Sequence, residues 1–232
     1  MKAIILASGQ GRRMRPLTLT MPKCLLKYGG RTNLDHIFLA FPAEIDEAII
    51  VIRHLGEKVK DYCKDNFYGR KIHYAQGTGE GTAIDFMATK LFFGQNERLA
   101  IIYGDEVLTL EEIIKCLKYE FSWLCYEVAD PTQVGVVTLD HKNNIIEVIE
   151  KPAEPKSNFA VNGFMVVNSD LFNCRPKIHS NGEYYLTGMM AEFIKNHKVV
   201  AVTGSAGHAQ LTSPADLERL EKIYLQKNLS GN

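Results

Sequence analysis

The chain has 232 residues, 27 of them Lys or Arg and 27 Asp or Glu, and carries no formal net charge at pH 7. Such a length supports one sizeable core, or one domain with a small appended lobe, and the charge balance argues against a general nucleic-acid binder. The five cysteines, Cys24, Cys63, Cys116, Cys125 and Cys174, include no C-x-x-C pair, so neither a disulfide framework nor a zinc knuckle is expected.

The apolar run at residues 3–7 reads as a buried first strand. It is far short of a secretory leader, and no run reaches the roughly 18 apolar residues of a membrane span, so a cytoplasmic protein without a membrane partner is expected. Residues 6–23 follow as LASGQGRRMRPLTLTMPK. Gly9 and Gly11 lack a Cβ and let the backbone turn tightly, with its N–H groups close to a ligand. Arg12, Arg13, Arg15 and Lys23 surround that turn with cations. A glycine-rich turn after a strand, crowded with cations in a chain of no net charge, points to a polyphosphate.

Residues 33–41 carry a helical apolar face, and the continuous apolar run at 48–52 reads as a strand buried on both faces. A helix at 57–66, a strand at 71–75, a helix at 81–92, a strand at 99–103 and a helix at 110–120 complete a β-α alternation. That alternation predicts an α/β fold with a Rossmann-like, mostly parallel central sheet and helices on both faces. The second half changes character. Strands are expected at 123–127, 134–140, 145–150, 159–167 and 199–202, with a hairpin link at 141–144 and helices at 187–196 and 214–226. No stretch rich in Pro, Gly or Ser separates two domains; residues 152–157 read as a surface loop.

In open parallel sheets a ligand sits beyond the carboxyl ends of the strands. The opening loop, residues 76–82 and residues 103–105 all fall there. The amide of Gln76 can both donate and accept, as reading a base edge requires, although alone it would equally be a loop glutamine in water. Gly81 would let the backbone approach a flat ring. Asp105 could hold a hard cation such as Mg²⁺ or simply form a turn. Lys151, at the strand end Glu150-Lys151-Pro152, could hold a second phosphate or a surface ion pair. Gly163, beside Asn162, marks close approach within a strand. Thr187 is a candidate helix cap or a sugar contact.

The spacing Gly9-x-Gly11-x-Arg13-x-x-Pro16-Leu17-Thr18-x-x-x-Pro22-Lys23 resembles the signature of the sugar-1-phosphate nucleotidylyltransferases. The later pieces occur in the same order: Gln76 with Gly81, Gly104-Asp105, Glu150-Lys151-Pro152 and Asn162-Gly163. The resemblance runs from Lys2 to about Gln226. Residues 182–187 are most similar to the uridylyltransferase part of the bifunctional enzymes that make UDP-N-acetylglucosamine, whose β-helix acetyltransferase domain is outside the resemblance. Residues 22–26 also resemble short capsule and cell-wall cytidylyl- or uridylyltransferases.

The resemblance implies one nucleotidylyltransferase domain over residues 1–227, of the nucleotide-diphospho-sugar transferase type. About 1–120 would bind nucleotide, and about 121–227 would form a small acceptor-binding β lobe. It implies that an NTP and a sugar 1-phosphate give an NDP-sugar and pyrophosphate, with Mg²⁺ as cofactor and a monomer or homodimer as the working unit. Leu6, Ala7, Gly9, Gly11, Arg12, Arg13, Lys23, Gln76, Gly81 and Thr82 would bind the nucleotide, with Gly9, Gly11, Arg13 and Lys23 on its triphosphate and Gln76 and Gly81 on its base. Asp105 would bind the metal, and Tyr103, Gly135, Glu150, Lys151 and Asn162 the acceptor. Arg13, Lys23 and Asp105 would carry the chemistry. No covalent intermediate or side-chain base is needed, because the attacking phosphate oxygen is already ionised.

Two departures stand out. Arg12 replaces the family's usual Thr or Ser, and the run from His208 to Pro214 offers Gln210 and Thr212 where a second metal ligand, Asp or Asn, is usual. Asp216 in a shifted geometry is an alternative ligand. Gln76 favours UTP, CTP or dTTP over GTP. Two alternatives remain open: cytidylyl transfer to a non-sugar phosphorylated acceptor, and a non-catalytic nucleotide-sugar-binding module. A dinucleotide fold is disfavoured by Met14, which stands where the third glycine of that fingerprint belongs.

Overall fold

Continuous apolar runs, rather than alternating ones, build the centre of the sheet, because each central strand is covered on both faces. In this computed structural model, which describes residues 1–204 and 209–230, strand β1 (Lys2–Leu6) lies between two parallel neighbours, β2 (Glu47–Ile52) and β5 (Arg98–Tyr103). β4 (Arg70–Gln76) extends the parallel set beside β2, and the two-residue β3 (Asn66–Phe67) closes that edge antiparallel. The register is level: Leu6 stands opposite both Val51 and Tyr103, and Ile52 opposite Gln76. The loops that leave β1, β4 and β5 therefore open on the same side of the sheet.

Successive side chains of the central strands alternate between two cores. Ala3, Ile5, Ile50 and Ile102 pack with α1 (Asn33–Ala40), α2 (Gly56–Cys63) and α4 (Leu110–Leu117). Ile4, Leu6, Val51 and Ile101 pack on the opposite face with α3 (Thr82–Met87) and α5 (Leu186–Phe193). α1 and α4 each begin with a capping box, Thr32 with Asp35 and Thr109 with Glu112, which satisfies N–H groups the first turn leaves unpaired. All five cysteines are buried and unpaired.

The second half joins the same ten-stranded sheet through β9 (Phe159–Asn168), which runs antiparallel to β5, to β6 (Ser122–Glu127) and to β7 (Gly135–Leu139). β8 (Ile145–Glu150) pairs antiparallel with β7, and β10 (Val200–Thr203) pairs parallel with β6. The sheet is thus mixed, with parallel pairing along β5, β1, β2 and β4 and again between β6 and β10.

The predicted elements are all present, with several helices shorter than expected; those expected over 110–120 and 187–196 are Leu110–Leu117 and Leu186–Phe193. The one expected to reach residue 66 stops at Cys63, because Lys64 takes a left-handed φ of 51° and Asn66 and Phe67 pair with β4. The one expected over 81–92 stops at Met87 and resumes as a 3₁₀ turn over Lys90–Phe92. Two short ribbons were not legible in the sequence: Lys27–Tyr28 with Arg31–Thr32, and Glu106–Val107 with Ala209–Gln210.

The last helix, α6 (Pro214–Ser230), packs against the first ribbon. Glu221 Oε2 accepts from the Gly29 N–H at 2.6 Å, and the Tyr28 and Tyr224 rings meet edge to face. Among the described residues no helix is long and apolar enough to cross a membrane.

Phe164, fully buried in β9, packs where the antiparallel strands meet the parallel core. Phe164→Ala is expected to destabilise the protein by about 3–5 kcal/mol, read as a lower midpoint in equilibrium urea unfolding.

Candidate active site

Beyond the carboxyl ends of β1 and β5 lies a cavity of about 490 Å³. The opening loop forms one wall with Leu6, Ala7, Gly9, Gly11 and Arg12. Gly11 has φ +60°, and a Cβ there would come within 2.8 Å of Thr18 Cγ2, while the Thr18 hydroxyl donates to the Gly11 carbonyl at 2.8 Å. A Cβ on Gly9 would meet nothing within 4 Å, so that position faces open space. The chain then enters a 3₁₀ turn, Arg12–Met14. Met14 is fully buried against Leu26, Tyr28, Leu211 and Leu220. This anchor leaves Arg12 and Arg13 exposed. Arg12 lines the cavity and its Nε donates to Gln10 Oε1 at 3.1 Å; Arg13 does not line it.

Opposite the loop, Asp105 follows β5, and its carboxylate is ion-paired with the Lys23 ammonium. Both side chains are mostly buried, at 26% and 16% exposure. Cys24, also on the cavity wall, is no nucleophile, since burial pushes its thiol up to about 12. Among the described residues no three His, Cys, Asp or Glu side chains gather as a metal site.

The alternatives for a second ligand are otherwise engaged. The Gln210 amide donates to Glu106 Oε1. Asp216 Oδ2 accepts from Ser213 Oγ and the Ser213 N–H, each at 2.8 Å, and from the Thr212 N–H at 3.2 Å, so it caps α6 rather than reaching the cavity. His208 lies outside the described residues. What remains fits Mg²⁺ held by one protein carboxylate, with substrate phosphates and water filling its shell.

The loop after β4 supplies another wall. Gly79, Gly81 and Thr82 line the cavity, whereas Gln76 is exposed at the strand end and does not. Gly81 has φ +136°, and a Cβ there would fall 2.2 Å from the Tyr184 carbonyl oxygen, so its close approach is to protein backbone. The Thr82 hydroxyl accepts from the Leu186 N–H at 2.9 Å and ties α3 to α5.

Asp85 escaped sequence reasoning. Its buried carboxylate accepts from the Ser8 hydroxyl, from the Thr78 N–H at 2.9 Å and from the Gly79 N–H at 3.3 Å. It therefore clamps the opening loop to the loop after β4. A lone acid between Ala83 and Phe86, both fully buried, was the available signal.

A polar cluster adjoins the cavity through Tyr103 and Tyr185, both on its wall. Lys151, in a left-handed turn at φ 45°, donates to the Tyr185 hydroxyl at 2.6 Å, and Asn181 Nδ2 donates to the same oxygen at 2.7 Å. Thr187 is not a cap. It lies inside α5, whose N-cap is Tyr185, and its hydroxyl donates to Glu150 Oε2 at 2.8 Å.

Burial holds the Glu150 carboxyl above the usual range, opposed by the Thr187 hydrogen bond and the Lys151 charge. Burial, with the Glu150 charge adding to it, also raises the Tyr103 phenol, which stays protonated as a donor. Gly135 packs under this cluster, where a Cβ would meet Thr187 Cγ2 at 2.7 Å and Glu150 Oε2 at 3.2 Å. Asn162 belongs to β9, and its side chain lies outside the described residues. Lys151, Glu150 and Gly135 thus gather beside the cavity rather than on its wall.

A sequence profile of the nucleotidyl transferase family matches residues 2–205. Among curated proteins, the chain is 32% identical over 230 residues to the bifunctional protein GlmU of Methanocaldococcus jannaschii, covering 98% of this chain and 55% of that one. It is 30% identical over 207 residues to the bifunctional sugar-1-phosphate nucleotidylyltransferase/acetyltransferase of Sulfurisphaera tokodaii, covering 87% of this chain and 50% of that one. The chain thus spans about half the length of the curated relatives it matches. Among solved structures, a protein described as a glucose-1-phosphate thymidylyltransferase from Bacillus anthracis superposes with a TM-score of 0.81 at 27% identity, over 97% of this chain and 95% of that one. A UDP-glucose pyrophosphorylase complexed with UDP-glucose shares the fold, with a TM-score of 0.86 at 20% identity over 97% of this chain and 98% of that one.

Glu150 gives a pH signature. Its ordinary pKa is 4.5, and folding raises it. The folded state therefore holds the proton more tightly, and the stability tied to this group falls as pH rises from 4.5 through the raised folded value, then levels off. Thr187→Val removes a donor to the ionised carboxylate and extends that window upward. The gap between wild type and variant in urea midpoint is expected to widen from pH 4.5 to pH 7, and a constant gap across that range would contradict it.

Proposed function

The chain belongs to the nucleotidyl transferase family, and on that premise we propose that it transfers a nucleoside monophosphate from a pyrimidine NTP to a sugar 1-phosphate, releasing pyrophosphate. The observation that carries this reading is the single cavity in which a glycine turn flanked by Arg12 and Lys23 faces Asp105. Residues 1–227 would act as one unit, with the nucleotide on the β1–β5 side and the acceptor beside Glu150 and Lys151.

In the proposed reaction an oxygen of the acceptor phosphate attacks the α-phosphorus in line. The bond to the bridging oxygen breaks, and its electron pair leaves with pyrophosphate. The attacking oxygen is already ionised, so no residue need remove a proton. The protein's task is to hold two anions together and to neutralise charge that builds on the leaving group. Backbone N–H groups of the Gly9–Gly11 turn and the Arg12 guanidinium receive the triphosphate, and the Lys23 ammonium exchanges its Asp105 partner for phosphate oxygens, whereas Arg13, expected from the sequence to join them, is exposed outside the cavity wall.

Asp105, released from Lys23, would hold Mg²⁺, which when bound polarises the phosphoryl oxygens. Gln76 at the rim and Gly81 and Thr82 on the wall frame the base. Tyr103 offers its hydroxyl, and Lys151 its ammonium, to the acceptor phosphate or sugar, while Glu150 and Asn162 flank them.

The test is pyrophosphate release across a panel of NTPs with sugar 1-phosphates and Mg²⁺. Turnover is expected with at least one pyrimidine triphosphate, and none across the panel would overturn the reading. Asp105→Asn is expected to lower kcat by about a hundredfold or more with the fold intact by circular dichroism. Arg12, an added cation where neither Gln210 nor Asp216 lines the cavity, should act on binding. Arg12→Thr is expected to raise the NTP KM by about three- to tenfold with kcat nearly unchanged, as loss of one exposed charged contact predicts, and an unmoved KM would refute that role.

A further inference from the structure

The cavity wall contains one cation that the mechanism above does not use. Arg53 follows β2 directly, on the same side of the sheet as the opening loop, and lines the cavity. Its side chain makes no hydrogen bond or ion pair with any described residue, so its donors face the cavity and solvent. The guanidinium lies flat against Gly79. A Cβ at residue 79 would fall 1.9 Å from Arg53 Nη1 and 2.5 Å from Cζ, closer than atoms can approach. Gly79 also has φ +80°, a conformation that side chains disfavour, and its N–H is held by Asp85. Two features of the loop, a missing side chain and a clamped backbone, thus create the space this guanidinium fills.

The position separates Arg53 from the cations of the opening loop. Arg12 lies on the glycine turn and Lys23 is paired with Asp105, at the end where the triphosphate is proposed. Arg53 rests on the loop between Gln76 and Thr82, at the end where the base is proposed. Gln76 itself stands outside the cavity wall. A guanidinium carries only donors, in a rigid planar fork. One edge of the fork matches a flat ring that presents two neighbouring acceptors. Among the pyrimidines cytosine does so, with O2 beside the unprotonated N3. Uracil and thymine place an N3–H donor between their two carbonyls, and that donor meets the fork with repulsion.

We propose that Arg53 is a specificity-determining residue that reads the O2/N3 edge of cytosine and makes CTP the preferred nucleotide. The inference rests on the pyrimidine nucleotidyl-transfer reading and names its base. Gly79 is the residue that permits it, because any larger side chain there expels the guanidinium.

The experiment compares kcat/KM for CTP, UTP, dTTP, GTP and ATP in wild type, Arg53→Leu and Arg53→Lys, with CTP and UTP affinities measured by calorimetry. Wild type is expected to favour CTP. Arg53→Leu is expected to lose about ten- to a hundredfold in kcat/KM for CTP, chiefly through KM, while UTP changes less than about threefold. Arg53→Lys keeps the charge without the fork and should not restore the preference. Equal losses for all triphosphates would make Arg53 a phosphate cation, and unchanged values would make it a solvated charge; either result overturns the inference, as does a wild-type preference for UTP or dTTP. Wild type that binds no triphosphate and releases no pyrophosphate defeats the functional reading and this inference together. Wild type that turns over with a base choice indifferent to Arg53 defeats this inference alone.

Discussion

Strand β1 lies between two parallel neighbours in level register, and the position of every wall of the cavity follows from that constraint. Its residues 3–5 are fully excluded from water on both faces, so a slip by one residue would drive Ile4 and Ile5 into the opposite cores. With Leu6 held opposite Val51 and Tyr103, the glycine turn, Arg53 and Asp105 all emerge at one level. Asp85 then converts nearness into a fixed geometry, because one buried carboxylate satisfies donors from two loops at once. The apolar core sets where the loops begin, and a single polar group sets how they face.

One pair of opposite charges sits at the centre of the cavity's electrostatics. Lys23 and Asp105 neutralise each other while partly buried, where an isolated charge of either sign would be costly. Each is also the partner that an incoming reactant would supply: phosphate for the ammonium, a cation for the carboxylate. Beside the cavity, the Lys151 ammonium donates to the Tyr185 hydroxyl and lies over its ring.

Most of the fold was legible because its signals are local. Runs such as residues 48–52 and 99–103 are apolar without interruption, and only strands buried on both faces ask for that. The opening loop was legible because a tight turn and a polyphosphate both demand specific residue types at specific spacings. The illegible parts depend on partners far away in sequence. Nothing near Asp85 announces that Ser8 will reach it. Thr187 reads locally as a cap, and only the β8 strand end turns its hydroxyl toward Glu150. Gln76 has the right chemistry for a base edge, yet it stands exposed outside the cavity wall, whereas nothing beside Arg53 in the sequence points to Gly79, which lies against it in the fold.

The anchor beneath the arginine turn bears on how the molecule assembles. Met14 is sealed by Leu211 and Leu220, some two hundred positions later in the chain. Closing so long a loop is slow compared with pairing neighbouring strands, and during synthesis it must wait for the final helix to emerge. The sheet can therefore form before the Arg12–Met14 turn has its floor. The turn that carries Arg12 is thus expected to settle only once α6 has docked on Gly29.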